Sequence, residues 1–185
     1  MDINNNFEIQ PNVKHHNSLP SNIQYKNNLN CLYINAQSLR NSLNDLQCFI
    51  SSVNYKIHVV LIVETWIKSS EKQYYNLNNY HSVHSTRTSS IGGGASIFVL
   101  NEFDTANIVY EECTNNNNFI IISLTKADIH VGLCYRQPNN SLDQDGRIFL
   151  NKLDLLLNTY SKIYFFGDFN INLFDRSALL VNNYK

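Results

Sequence analysis

An apolar run, Ile163-Tyr164-Phe165-Phe166, stops abruptly at Gly167-Asp168-Phe169-Asn170 and so delivers a carboxylate and a carboxamide, two residues apart, into a loop. A carboxylate held there can orient a water molecule and take its proton. The Asn170 amide can donate to an oxyanion. Three more polar residues stand at the ends of apolar runs. Glu64 follows Ile57–Val63, Asn35 closes Leu29–Asn35, and Tyr135 closes Ile129–Tyr135. A carboxylate beside a buried strand is costly unless a cation meets it, so Glu64 is either a solvated strand-end glutamate or a cation ligand. Asn35 can orient a partner but cannot act as a base at neutral pH, and it could equally be a turn residue. Tyr135 is either a phenol donor or an aromatic packed at a sheet end.

The elements that must position these residues follow from hydrophobic period. Leu29–Asn35 reads as a strand. Ser38–Val53 carries Leu39, Leu43, Leu46, Phe49, Ile50 and Val53 at helical spacing, with Ser38 or Asn41 as its N-cap. Ile57–Val63 is a continuous, mainly β-branched run of the kind buried on both faces, which completes a strand, helix, strand unit. Tyr80–Ser85, Ala95–Leu100, Ala106–Tyr110, Phe119–Thr125 and Ile129–Tyr135 are short runs divided by Gly, Asn and Asp, an antiparallel meander. Gln137–Gly146 is a polar loop, Arg147–Tyr160 a helix, and Lys162–Phe166 a last buried strand. This order implies mixed sheets covered by helices.

The chain has 185 residues, enough for one domain. Residues 1–28, rich in asparagine and poor in large apolar side chains, are expected to form a flexible leader, with the domain proper over 29–185. A net charge of −1 and a pI near 6.6 supply no global basic field for nucleic acid; a bound metal ion could supply local positive charge instead. Cys31, Cys48, Cys113 and Cys134 are too scattered for a zinc site. With no signal-peptide core and no run of about 18 apolar residues, an intracellular protein, cytoplasmic or nuclear and not secreted or in a membrane, is expected.

Five short motifs occur in order: Asn35-Ala36-Gln37-Ser38-Leu39-Arg40-Asn41, Glu64-Thr65-Trp66, Gly92-Gly93-Gly94-Ala95, Tyr135-Arg136-Gln137-Pro138 and Gly167-Asp168-Phe169-Asn170. Together they resemble the endonuclease/exonuclease/phosphatase superfamily, and within it the apurinic-like endonuclease domains of non-LTR (LINE-type) retrotransposons. The resemblance implies a DNase I-like two-sheet α/β sandwich flanked by helices. It also implies Mg²⁺- or Mn²⁺-dependent nicking of DNA. Glu64 and Asn35 would hold the metal, Asp168 would activate water, and Asn170 and Tyr135 would grip the phosphate. Arg87, in the segment leading to the glycines, and Arg136 would lie on the substrate side. No small-molecule cofactor is implied.

One departure accompanies the likeness. Complete members end with a Ser-Asp-His motif, and no histidine follows His130 here. The expectation is therefore a domain lacking its last strands, with weak or absent catalysis and an exposed sheet edge open to association. Two rival functions follow: a catalytically dead remnant that binds nucleic acid or protein, and a phosphomonoesterase on the same fold.

Overall fold

The computed structural model describes residues 29–87, 92–103, 106–114, 117–138 and 144–170. The expected leader over 1–28, the residues beyond 170 and residues 139–143 of the expected loop from Gln137 to Gly146 lie outside them, and the last three residues of that loop, Gln144 to Gly146, open the second helix instead. Eight strands and two helices follow in the order β1 (Cys31–Asn35), α1 (Leu39–Ser52), β2 (Val59–Val63), β3 (Tyr80–Ser85), β4 (Ala95–Leu100), β5 (Ala106–Cys113), β6 (Asn117–Leu124), β7 (Ile129–Arg136), α2 (Gln144–Thr159) and β8 (Ile163–Asp168). Short 3₁₀ turns occupy Ser69–Tyr74, Asn101–Phe103 and Thr125–Ala127.

The strands form two four-stranded sheets, ordered β1-β2-β4-β3 and β5-β6-β7-β8. Each is mixed. β1 and β2 run parallel across the α1 crossover, and β7 and β8 run parallel across α2, while the remaining pairs are antiparallel. The expected single meander is thus divided: β3 and β4 complete the first sheet and β5 to β7 build the second. Sequence period alone cannot say which sheet a half-buried strand joins.

Alternation along β2 explains the layering. Val59, Leu61 and Val63 face the second sheet, where they meet Ile120, Ile122, Val131, Leu133 and Tyr135. Val60 and Ile62 face the other way, onto Leu39 and Leu46 of α1. On the far side, Phe149 and Leu156 of α2 cover Phe119, Ile121 and Cys134. The result is helix, sheet, sheet, helix, with each fully buried aliphatic contributing about 1.5–3 kcal/mol of transfer free energy. No described helix is long and apolar enough to cross a membrane.

The start of α1 differs from expectation. Ser38 is at the N-cap position, but its side chain makes no capping bond and its φ is 109°. The first helical N–H, that of Leu39, instead donates to the Thr65 carbonyl at 2.9 Å, and the Ser38 N–H donates to the Glu64 carbonyl at 2.9 Å. The turn after β2 therefore supplies what a capping side chain usually does.

Candidate active site

Each strand-terminal residue singled out by sequence lies at the same end of the sandwich. β1 and β2 end in register, Asn35 opposite Val63, so Asn35 and Glu64 leave adjacent strands of the first sheet together. Tyr135 is opposite Asp168 in the parallel pair of β7 and β8, so these two leave the second sheet together.

The two pairs meet through Asn35. Its amide nitrogen donates to Glu64 Oε1 at 3.1 Å and to Asp168 Oδ2 at 3.1 Å, the second across 133 residues of chain. Asn35 Oδ1 accepts the Gln37 N–H at 3.3 Å. Burial, followed by the nearby Glu64 charge, pushes the Tyr135 phenol above its ordinary range. The phenol therefore stays protonated at neutral pH and acts as a donor.

Glu64 is held by backbone strain that its surroundings fix. Glu64 and Trp66 both have φ of 54°, a left-handed conformation that costs of order 1–3 kcal/mol per residue. Four backbone bonds hold this turn: Ala36 N–H to Val63 O at 3.0 Å, the two from Ser38 and Leu39, and Trp66 N–H to Gly93 O at 3.0 Å. Gly94, at φ 86°, lies so near that a Cβ there would sit 2.6 Å from the Thr65 hydroxyl. The glycine run is thereby a packing partner of the Glu64 turn.

Asp168 is held differently. Its Oδ1 accepts the Asn170 N–H at 3.3 Å, an Asx turn. Arg136 then grips the loop, its Nη1 donating to the Asn170 carbonyl at 3.0 Å while Asn170 Nδ2 donates back to the Arg136 carbonyl at 2.6 Å. Arg136 is only 1% exposed, and Arg87 only 7%. Both arginines expected on the substrate side point into the protein.

Sequence reasoning missed two neighbours. Tyr33 lies two residues before Asn35 on the same face of β1 and is 36% exposed. Burial, then the charges of Asp168, Cys134 and Glu64, pushes its phenol up; its i−2 spacing from Asn35 was the available signal. Asn118 is fully buried, accepting from Arg87 Nε at 3.3 Å and from the Gly94 N–H at 3.4 Å while donating to Cys113 Sγ at 3.0 Å. Nothing distinguishes it within the run of asparagines at 115–118.

The donor set fits a hard divalent cation. Two carboxylates converge on one amide, and among the described residues neither forms a salt bridge. Such an arrangement lacks compensating charge, and Mg²⁺ and Mn²⁺ favour oxygen ligands of this kind. For Asn35 to ligate through oxygen, its amide must turn to present Oδ1 in place of Nδ2. Among the described residues there is no group of three or more His, Cys, Asp or Glu, so the set is a carboxylate and carboxamide one.

Solved structures of the same architecture include the 3′ phosphatase NExo from Neisseria bound to a product DNA hairpin. Its TM-score is 0.55 at 13% identity, over 78% of this chain and 58% of that one. The endonuclease domain of TRAS1, a telomere-specific non-LTR retrotransposon, gives 0.50 at 16% identity, over 78% and 62%. TDP2 from D. rerio, complexed with a single-strand DNA product, gives 0.55 at 15%, over 78% and 61%. The fold is that of the endonuclease/exonuclease/phosphatase superfamily. This chain spans 58–62% of the length of those three structures. No protein-family model matches the sequence, and no curated protein does. The superfamily fold agrees with the DNase I-like two-sheet sandwich expected from the motifs, and Asn35 of the first motif bonds directly to Glu64 of the second and Asp168 of the last.

Proposed function

We propose that this domain is a metal-dependent phosphodiesterase acting on nucleic acid, a DNA-nicking endonuclease in type. The observation that carries the reading is the single Asn35 amide shared by Glu64 from one sheet and Asp168 from the other. Structural ion pairing does not explain it, since it brings two negative charges together.

Glu64, with Asn35, would hold Mg²⁺ or Mn²⁺, which supplies Lewis-acid polarisation of a phosphate oxygen when bound. Asp168 is the base. Its carboxylate, fixed by Asn170 and Asn35, orients a water molecule and accepts its proton as the water oxygen attacks phosphorus, while the P–O bond to the sugar breaks and the leaving sugar oxygen takes a proton from solvent. The protonated Tyr135 hydroxyl donates to a phosphate oxygen. Asn170 commits one amide hydrogen to Arg136 and has a second for another phosphate oxygen, where charge grows in the transition state.

DNA as the substrate is supported by the neighbours solved with DNA products and by the sequence likeness to retrotransposon endonucleases. With a net charge of −1 the chain supplies no global basic field, and a bound metal would supply local positive charge for phosphate. The test is Mg²⁺-dependent nicking of supercoiled plasmid by purified protein, beside Asp168→Ala. Nicking that the substitution removes supports the reading. Folded protein that nicks nothing contradicts it, and release of phosphate from a 3′-phosphorylated oligonucleotide without nicking would favour the phosphomonoesterase alternative.

A further inference from the structure

We infer that Arg87 is a positioning residue of this site, acting through Tyr135 and not by contact with the nucleic acid. The inference rests on the hydrolase reading for its catalytic consequence, but its geometric content does not.

Among the described residues the buried Arg87 guanidinium forms no ion pair. Its Nε donates to Asn118 Oδ1 at 3.3 Å and its Nη1 to Gln137 Oε1 at 3.2 Å, while Nη2 is buried with no acceptor. A buried cation satisfied only by two neutral amides costs stability. What it gains is position. The guanidinium carbon lies 5.3 Å from the centroid of the Tyr135 ring, within the range of a cation–π contact.

The partners are ordered by register. Asn118 on β6 is opposite Tyr135 on β7, and Gln137 follows Arg136 at the end of the same strand. Asn118 also accepts the Gly94 N–H, and a Cβ on Gly93 would meet the Arg87 guanidinium at 2.6 Å. Arg87 is thus enclosed by the glycine run, β6 and the exit of β7. The Tyr135 ring has a cation over its face. The cation draws density from the ring and strengthens the hydroxyl as a donor, and the enclosure fixes where that hydroxyl points. A DNA phosphate cannot reach a side chain so enclosed without displacing Gly93.

The test uses the full chain with Arg87→Gln, Arg87→Lys and Tyr135→Phe. In tyrosine-ring-labelled protein, Arg87→Gln should shift the Tyr135 ring resonances, and the slope of log Kd against log[salt] for a DNA duplex should stay as in the unsubstituted protein. Nicking should fall about 10- to 100-fold in kcat with little change in KM, and Arg87→Gln should add under about twofold in the Tyr135→Phe background. A salt slope flatter by about one charge, with Tyr135 resonances unmoved, would overturn the inference. If Arg87→Gln does not fold, Arg87→Lys, which keeps the charge but loses the fork, carries the resonance and kcat measurements, and Tyr135 resonances and kcat both unmoved would overturn the inference. If the unsubstituted protein nicks nothing, the hydrolase reading fails, while the resonances and the salt slope still decide the role of Arg87.

Discussion

Glu64 and Asp168 face one amide, yet the chain holds them by opposite means. Glu64 leaves β2, an interior strand whose five residues are all buried, and its turn is fixed by backbone bonds to the start of α1 and to the glycine run. Asp168 leaves β8, the outer strand of its sheet among the described residues, only half-buried, and its loop is fixed by one arginine and one asparagine. The first half of the site is a consequence of the fold. The second is a local assembly that a few side chains could undo, and this makes them separable by substitution.

The largest effect should appear in chemistry without stability. Asp168→Ala should lower nicking by about 100- to 10,000-fold while leaving the urea midpoint nearly unchanged, because the carboxylate lies at the edge of the fold. A large stability loss would mean that the Asp168 half is as deeply built as the other. Next, the two glycines probe each half. Gly94→Ala puts a Cβ 2.6 Å from Thr65 Oγ1 at a φ of 86°, and should cost about 2–3 kcal/mol in denaturant melts. Gly167→Ala puts one 2.4 Å from Cys134 Sγ and 2.6 Å from the Cys134 carbonyl oxygen. Since β8 pairs only with β7 among the described strands and can shift, about 1–2 kcal/mol is expected. The reverse order would break the comparison.

Smaller still, Asn170→Ala should cost about 1 kcal/mol by removing its bond to the Arg136 carbonyl, with a much larger loss of activity. The least effect at neutral pH belongs to His84, on the first sheet, bonded to Ser96 at 2.7 Å and pushed down to about 4 mainly by burial. Its folded pKa is below the unfolded value of about 6.5, so the unfolded chain binds the proton more readily. Stability should be intact above about pH 6.5, fall as pH drops towards 4, and level off below that. His84→Gln should flatten that acid limb in melts recorded across pH.

Much of this was legible in sequence. The β-branched run at 57–63 could be only a buried strand, and the apolar spacing of Leu39, Leu43 and Leu46 only a helix lying on it. Strand ends at Asn35, Glu64, Tyr135 and Asp168 were readable because each run of apolar residues stops at a polar one. What escaped depends on distant packing. The division of the meander between two sheets is set by which faces meet, and Asn118 looks like any other asparagine of its run. The resemblance put Arg87 and Arg136 on the substrate side, whereas both side chains are buried, with two amide oxygens and a backbone carbonyl among their acceptors. Ser38 has the right residue type for a helix cap, but the Glu64 turn had already taken over that role.

The central claim, one cation site at Glu64 and Asn35 beside the Asp168 base, is tested most directly by Mn²⁺ binding followed by electron paramagnetic resonance. The account predicts one bound Mn²⁺ per chain, competed by Mg²⁺ and weakened at least tenfold by either Glu64→Gln or Asn35→Ala. Binding that neither substitution alters, or no binding by the folded chain, would contradict it.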